Sequence, residues 1–259
     1  MIDIPENSAV TARNVTVAYG TRVIQRNLSF TIRKGDIFII MGGSGCGKSS
    51  LLRVLMGLNA PAEGSVYYGK TDFWAVPAAE RDSIMRRTGV MFQSGALWTS
   101  RTLAENVALP LEYYTDLSPR DIRELASFKL SLVGLAGFED FYPSEISGGM
   151  KKRAGLARAL ALDPDVVYFD EPSAGLDPVS AARLDELILQ LRDTLGMTVV
   201  VVTHELASIF AIANNSVFLD AKTRTMTAGG DPHELLRHGP DEVVEFLTRG
   251  KGRNRGGNP

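Results

Sequence analysis

The stretch Gly42–Ser49 reads GGSGCGKS and decides the fold class of this chain. It follows five apolar residues, Ile37–Met41, and precedes a periodic apolar stretch that contains Leu51, Leu52 and Leu55. An unbroken apolar run of this length is typical of a parallel strand buried on both faces, and the periodic stretch is typical of a helix. The pattern G-x-x-x-x-G-K-[ST] between a strand and a helix predicts a loop that binds phosphate.

Each residue type in this loop has a chemical reason to be there. Glycines allow backbone conformations in which successive N–H groups point at an anion beside the positive end of the helix. The Lys48 ammonium is expected to reach the β- and γ-phosphates, and the Ser49 hydroxyl is expected to ligand Mg²⁺. A plain glycine-rich turn is the alternative, but it requires neither side chain. The residues expected to line the phosphates are Gly42, Gly43, Ser44, Gly45, Cys46, Gly47, Lys48, Ser49 and Ser50.

Cys46 is the only cysteine of the chain, and it lies inside this loop. A single cysteine excludes an internal disulfide and a multi-cysteine metal site. Because the loop N–H groups, the helix dipole and Lys48 all favour an anion, the sequence predicts a reactive thiol that nucleotide protects from alkylation. The alternative is a sulfur that points into the sheet as a small apolar filler.

The composition is that of an ordinary globular protein. The chain has 259 residues, of which 44% are hydrophobic, and a formal net charge of −2. This charge gives no global basic field, so no nucleic-acid partner is expected. The longest apolar runs are too short for a membrane span, and residues 1–10 lack the features of a secretory signal. We therefore expect the chain in the cytosol unless a partner holds it at a membrane.

Periodicity along the chain predicts an α/β fold. Alternating stretches between Val15 and Ile32 predict antiparallel strands. Helical patterns from about residue 95 to residue 163 predict a helical insertion. Two further buried strands, Val166–Phe169 and Thr198–Val202, are separated by a helix from about Ala181 to Leu195, as in a βαβ unit. The prediction is a P-loop NTPase core with a parallel sheet, an antiparallel β-subdomain and an inserted helical subdomain. Residues 1–248 are expected to form one domain, and the basic, glycine-rich residues 249–259 a disordered tail.

Two carboxylates follow the strand Val166–Phe169 directly. They are expected at the carboxyl end of a buried strand, where ligands of open α/β sheets bind. Asp170 is predicted to hold Mg²⁺ through water, and Glu171 to be the general base that polarises the attacking water. A pair of acids that caps the next helix is the alternative, and it would be preferred if the phosphate loop were absent.

Two further polar residues follow predicted strands. His204 comes after the strand that ends at Val202, and it is predicted to contact the γ-phosphate and to orient Glu171. Gln93 comes after a strand signal, Val90–Phe92, and it is predicted to sense both metal and water. The site is thus expected to contain the catalytic residues Glu171, His204, Gln93 and Lys48, and the metal ligands Ser49, Gln93 and Asp170.

A second anion site is predicted where Ser147, Gly148 and Gly149 precede a helical stretch from Met150 to Leu162. The N-terminus of that helix offers free N–H groups and partial positive charge. Since the chain has one phosphate loop, this site is expected to complete the pocket of a second copy. An ordinary serine-capped helix is the alternative.

These motifs stand in the order found in the nucleotide-binding subunits of ABC transporters, which the chain resembles over nearly its whole length. The resemblance implies ATP and Mg²⁺ as cofactors and a head-to-tail dimer that encloses two ATP molecules. It also implies that Tyr19 stacks on adenine, although a buried strand residue is the alternative. Asp177, in the stretch Gly175–Asp177, matches the loop that communicates between the two sites.

A narrower similarity points to the ATPases of the Mla, MCE-type phospholipid transporters. It rests on Phe92–Leu97, on Asn106, Val107, Pro110 and Leu111, and on Pro143–Met150. Met150 stands where most ABC ATPases carry glutamine. The similarity implies an integral permease, an MCE-domain substrate-binding protein, often a STAS-domain protein, and a peripheral location on the cytoplasmic face of the inner membrane.

Three other classes of protein compete with this interpretation. A soluble ABC ATPase of the cluster-assembly type has a similar length, and an ABC ATPase for a different transported substrate would share every motif. Soluble relatives in translation and repair usually carry two ATPase halves or long coiled coils, which this chain lacks. A P-loop GTPase or kinase leaves Ser147–Met150 unexplained.

Overall fold

The computed structural model describes residues 4–93 and 95–250. Most of the predicted tail, residues 251–259, lies outside the described residues. The chain divides into two compact units, residues 1–76 with 202–259 and residues 77–201. No helix in the described part has the length and apolar character to cross a membrane.

The elements alternate between strands and helices for most of the chain. In chain order they are β1 (Ser8–Tyr19), β2 (Arg22–Arg33), β3 (Ile37–Gly42), α1 (Lys48–Leu55), β4 (Glu63–Tyr68), β5 (Thr71–Asp72), α2 (Ala78–Arg86), β6 (Thr88–Met91), α3 (Leu103–Tyr114), α4 (Pro119–Leu132), α5 (Gly148–Ala159), β7 (Val166–Asp170), α6 (Pro178–Leu195), β8 (Thr198–Val202), α7 (Leu206–Ile212), β9 (Asn215–Asp220), β10 (Thr225–Gly230), α8 (Pro232–His238) and α9 (Asp241–Leu247).

The first unit contains an antiparallel sheet of four strands in the order β2-β1-β4-β5. Val10, Val15 and Val17 of β1 and Leu28 and Ile32 of β2 are buried, because alternating apolar residues place one face of the sheet against the core. The predicted antiparallel strands between residues 15 and 32 are confirmed.

The first unit also contains the strand that leads into the phosphate loop. β3 is buried at every position and pairs in parallel with β9, which pairs antiparallel with β10. Such complete burial explains why this strand is a continuous apolar run rather than an alternating one. The chain turns from β3 into α1 within five residues, so the loop lies at the carboxyl end of a buried strand, as predicted.

The second unit contains three strands of a sheet and the helices from α2 to α6. β6 pairs in parallel with β7, and β8, β7 and β6 are neighbours in that order. Thr102 caps α3 in a capping box, and Ser118 caps α4 with Pro119 in its first turn, as the sequence predicts for α4.

Three predicted boundaries in the second unit need correction. The helix expected at residues 150–162 is α5, which begins two residues earlier because Ser147 caps it, and which ends at Ala159. The helix expected from residue 181 begins at Pro178, because Asp177 caps it and proline suits the first turn. Phe92 lies beyond the end of β6 and is exposed.

Candidate functional site

The phosphate loop has the backbone conformation that its glycines predict. Gly42, Gly45 and Gly47 have φ angles of 150°, 73° and 103°. A Cβ atom at Gly42 would lie 2.4 Å from the carbonyl oxygen of Leu219, and one at Gly47 would lie 2.5 Å from a methyl group of Ile24. The loop therefore excludes side chains at these two positions by both conformation and space.

Lys48 lies inside the curve of the loop. Its side chain is buried, and Nζ donates hydrogen bonds to the carbonyl oxygens of Gly42 at 2.9 Å and Gly43 at 3.0 Å. Ser49, the next residue, is exposed in the first turn of α1. A buried ammonium beside an exposed hydroxyl is the combination that phosphate and a hard cation require.

Gln25 supports the loop from β2, although no sequence motif marks this residue. Its side chain is fully buried, and Nε2 donates to the carbonyl oxygens of Cys46 at 2.6 Å and Asp220 at 3.0 Å. A single glutamine in an otherwise ordinary strand pattern does not mark a role. Only the pairing of β2 with β1 and the approach of the loop reveal it.

The expected reactivity of Cys46 is wrong. Its side chain is only 2% exposed, and its Sγ lies beneath Gly42, where an added Cβ atom would be 2.8 Å away. Burial raises the pKa of the Cys46 thiol, and the positive charge of Lys48 opposes this only in part. The sulfur is thus the small apolar filler of the alternative interpretation, and the thiol is the dominant form at neutral pH.

Tyr19 is not a buried strand residue, which removes the alternative weighed for it. Its side chain is 46% exposed at the end of β1. Its hydroxyl oxygen lies 3.4 Å from Ser50 Oγ and accepts from Asn59 Nδ2 at 3.4 Å, and the hydrogen bond with Ser50 is the main reason that its pKa is lowered. An exposed ring fixed beside α1 is available for stacking on a flat ligand.

His204 follows β8 directly and is exposed. Its Nε2 atom lies 3.8 Å from Glu205 Oε1. The sequence-predicted residues of the first unit are thus Tyr19, the loop with Ser50, and His204.

In the second unit, Asp170 and Glu171 stand at the carboxyl end of β7. Asp170 is the last residue of the strand, and Glu171 follows with a φ angle of 50°. Gln93 lies two residues beyond the end of β6. Because β6 and β7 are parallel neighbours, their carboxyl ends meet at one edge of the sheet.

Lys152 connects Gln93 and Glu171 through hydrogen bonds to both. No sequence motif marks this lysine. It lies on α5 and is 6% exposed, and Nζ donates to the carbonyl oxygen of Gln93 and to that of Glu171 at 3.4 Å. Burial lowers its pKa, and the carboxylate of Glu171 partly opposes this. In the sequence it belongs to the run Lys151–Arg153, which is typical of a solvated helix face.

The two remaining predicted sites are helix N-termini. Ser147 Oγ accepts from the N–H of Met150 at 3.3 Å, and Ser147 and Gly148 are exposed. Asp177 Oδ1 accepts from the N–H groups of Val179 at 3.1 Å and Ser180 at 3.0 Å. Hydrogen bonds from Ser180 lower the pKa of Asp177, so this cap stays ionised.

A cavity of about 610 Å³ lies elsewhere in the first unit. Residues of β1, β2 and β4 and the turn after β9 line it, among them Arg26, Glu63, Lys222 and Arg224. No residue of Gly42–Ser49 is among its lining residues. It is therefore a feature separate from the phosphate loop.

Comparison with known families decides the class of this protein. Residues 25–174, more than half of the chain, match the model of the family described as ABC transporter. The chain belongs to the ABC transporter family. It is an ATPase with the ABC cassette fold, so the predicted fold class and the predicted enzyme class are confirmed.

Individual relatives agree with this ABC assignment. The chain is 39% identical, over 92% of its length and 89% of the relative's, to the intermembrane phospholipid transport system ATP-binding protein MlaF of Haemophilus influenzae. It is 38% identical, over 95% of its length and 68% of the relative's, to the probable ribonucleotide transport ATP-binding protein Mkl of Mycobacterium tuberculosis. Among solved structures, the ABC cassette MJ0796, dimeric and bound to ADP and phosphate, aligns with a TM-score of 0.76 at 31% identity, over 86% of this chain and 98% of its own.

Hard oxygen donors are present in each of the two units, taken separately. Ser49 offers a hydroxyl, Asp170 a carboxylate and Gln93 an amide oxygen, which are the hard ligands that Mg²⁺ prefers. Within the described residues, no three His, Cys, Asp or Glu side chains form a cluster that could hold a metal ion.

Proposed function

We propose that this chain is the ATP-hydrolysing motor of a transporter that moves phospholipid between the inner and outer membranes and so maintains lipid asymmetry. The observation that supports the substrate is the 39% identity to MlaF over 92% of the chain. The phosphate loop supplies the chemistry: a buried lysine, an exposed serine hydroxyl and glycines in conformations closed to other residues. Binding of ATP would close a dimer of the motor, hydrolysis at Glu171 would reopen it, and the helical insertion would pass that motion to a permease.

The proposed roles follow from the chemistry of each side chain. Lys48 and the loop bind the β- and γ-phosphates, and Tyr19 stacks on the adenine. Glu171 acts as general base toward the attacking water, because its carboxylate stands at the carboxyl end of β7. Gln93 and His204 orient this water and the γ-phosphate.

Mg²⁺ is the second cofactor in this proposal. It neutralises charge on the β- and γ-phosphate oxygens when bound. Ser49, Gln93 and Asp170 are the residues that would hold it, since their hydroxyl, amide and carboxylate oxygens fit a hard cation.

A second copy of the chain would complete each ATP site. Ser147, Gly148 and Gly149 offer an exposed helix N-terminus, and Asp177 caps α6 beside an exposed loop. We propose that these residues face the nucleotide bound on the partner's phosphate loop. The dimeric state in which MJ0796 was solved supports this arrangement.

The remaining partners follow from the phospholipid system. We propose an integral membrane permease that holds this chain on the cytoplasmic face of the inner membrane, together with an MCE-domain substrate-binding protein and a STAS-domain protein. Residues 1–248 would act as one ATPase domain with the helical subdomain at about 95–163. The family match, which spans residues of both units, supports a single domain.

Ribonucleotide transport is the second candidate function, because Mkl matches 95% of the chain at 38% identity. A soluble ATPase of the cluster-assembly type is the other alternative. The three candidate functions differ in the partners that they require and in the substrate that is transported. Only the two transport functions require a permease, and only one of them requires lipid transfer.

The test is to isolate the tagged chain from detergent-solubilised membranes and to reconstitute the purified complex in vesicles. We expect a multi-spanning permease and an MCE-domain protein to co-purify, and ATP to drive transfer of a fluorescent phospholipid. Transfer must stop when Lys48→Ala replaces the wild type. Recovery with soluble proteins alone, or ATP-driven ribonucleotide uptake without lipid transfer, would contradict the proposal.

A further inference from the structure

Lys152 links two residues that come from different strands, and it does so from a third element. We propose that Lys152 is a positioning residue that holds Gln93 and Glu171 in the arrangement needed for ATP hydrolysis. The inference rests on the proposed roles of those two residues. It adds a component of the site that neither the sequence motifs nor the family match assigns.

The contacts that carry this inference lie along one face of α5. Lys152 Nζ donates to the carbonyl oxygens of Gln93 and Glu171. One turn further, a Cβ atom at Gly155 would lie 3.1 Å from the Cα atom of Gly95, so a side chain there would require the backbone at Gly95 to shift by a few tenths of an ångström. Two turns further, the guanidinium of Arg158 donates to the carbonyl oxygens of Gly95 and Ala96, each at 2.8 Å. Helix α5 therefore fixes the backbone on both sides of position 94.

Burial of the Lys152 ammonium at this junction costs free energy of desolvation unless polar partners offset it. Burying an ammonium disfavours its charged form unless hydrogen-bond acceptors surround it. The partners that stabilise the charge are the carbonyl oxygens of Gln93 and Glu171 and the carboxylate of Glu171. An apolar side chain of the same length would fill the same space on α5 without this penalty.

Glu171 has a backbone conformation that needs such support. Its φ angle of 50° is uncommon for a residue with a side chain, and it persists only where neighbours fix it. The hydrogen bond from Lys152 to the Glu171 carbonyl oxygen is one such restraint on the backbone that carries the carboxylate. Since small displacements of a catalytic group reduce rates strongly, loss of the restraint should slow hydrolysis.

The second buried lysine of this unit provides a matched control. Lys129 lies on α4, is 2% exposed and pairs with the carboxylate of Asp163 at 2.5 Å. It touches neither Gln93 nor Glu171 in the contacts described above. Lys129→Met and Lys152→Met thus remove the same charge and the same number of donors from two buried positions, and only one of these positions adjoins the proposed site.

The experiment measures kcat and KM for ATP with the full chain, at concentrations where specific activity no longer rises. We expect Lys152→Met to lower kcat by about 10- to 100-fold with little change in KM, because the phosphate loop is intact. Lys152→Arg keeps a charged donor and should regain most of the lost kcat. Lys129→Met should lower the melting temperature without this loss of kcat. If Lys152→Met does not fold, Lys152→Leu takes its place, with the same kcat loss required.

A double-mutant cycle separates positioning from general destabilisation. In a Glu171→Gln background, Lys152→Met should lower the residual rate by less than about twofold, because the group it positions is already lost. Unchanged kcat in Lys152→Met, equal losses in Lys129→Met, or full multiplication of the two losses in the double mutant would overturn the inference. Wild-type turnover in Glu171→Gln alone would instead overturn the proposed role of Glu171 as the base.

Discussion

The side-chain amide of Gln25 donates a 2.6 Å hydrogen bond to the carbonyl oxygen of Cys46, in the middle of the phosphate loop. The same amide also donates to the carbonyl oxygen of Asp220 at the end of β9. One buried side chain on β2 thus satisfies two backbone acceptors that belong to different segments. The phosphate loop is thus stabilised by a residue that lies outside the loop motif.

Replacing this amide should weaken the loop. We expect Gln25→Leu to lower the free energy of unfolding by about 1–3 kcal/mol, because buried acceptors lose their donor. We also expect a higher Kd for ATP, since the loop backbone is no longer fixed. Denaturant unfolding and nucleotide titration measure the two effects.

The control for this variant is Gln190→Leu, an exposed glutamine on α6. A surface substitution of this kind should change stability by less than about 0.5 kcal/mol. Equal behaviour of the two variants in both measurements would show that Gln25 does not support the loop.

Two adjacent glycines of the loop should respond differently to alanine. At Gly42, with a φ angle of 150°, an added Cβ atom would meet the Leu219 carbonyl oxygen at 2.4 Å. At Gly43 it would meet nothing within 4 Å. We expect Gly42→Ala to lower the free energy of unfolding by about 1–3 kcal/mol more than Gly43→Ala. Equal unfolding midpoints would contradict this geometry of the loop.

Cys46 should react slowly with maleimide at neutral pH, with or without MgATP. The thiolate is the reactive form, and burial raises the pKa of this thiol, so little thiolate is present. At pH values below that pKa, each increase of one pH unit should raise the labelling rate about tenfold. Labelling should be far faster after unfolding in urea. Mass spectrometry of timed samples gives these rates, and rapid labelling of the folded chain that MgATP prevents would contradict the buried position of the sulfur.

Several parts of this molecule could be predicted because local sequence encodes them. The strand–loop–helix unit at Gly42–Ser49 is specified by an apolar run, by glycines and by one lysine, all within about a dozen residues. The start of α4 is specified locally in the same way, because Ser118 is a favoured cap and Pro119 suits the first turn of a helix. The comparisons confirm the ABC assignment that the order of the motifs indicates.

Other parts depend on contacts that no local pattern contains. Gln25 and Lys152 act through backbone carbonyls of distant segments, so their residue types alone carry no signal. The position of the Cys46 sulfur depends on how the loop turns over β3, and the local charges suggested the opposite chemistry. The pairing of β9 with β3 joins residues about 180 positions apart, which periodicity cannot reveal.

The dimer proposal makes a prediction about mixed chains. Lys48→Ala damages the phosphate loop and Ser147→Arg blocks the helix N-terminus that faces the partner's nucleotide, so each variant alone should be inactive. In a mixed dimer, one ATP site carries both defects and the other carries none. Since half of the dimers in an equal mixture are mixed, roughly a quarter of the wild-type activity should return if the sites work independently. Phosphate release from the equal mixture measures this, and complete inactivity would contradict independent sites shared between two chains.

Hydrolysis by Glu171→Gln tests the proposed catalytic role most directly. The amide keeps the size of the side chain but cannot accept a proton, so MgATP binding should remain close to that of the wild type. Single-turnover release of phosphate should slow by about 100- to 10,000-fold, the range that general base catalysis contributes. Slow release with retained binding is the predicted result. Release at a near wild-type rate from the same preparation would contradict the assignment of Glu171 as the base.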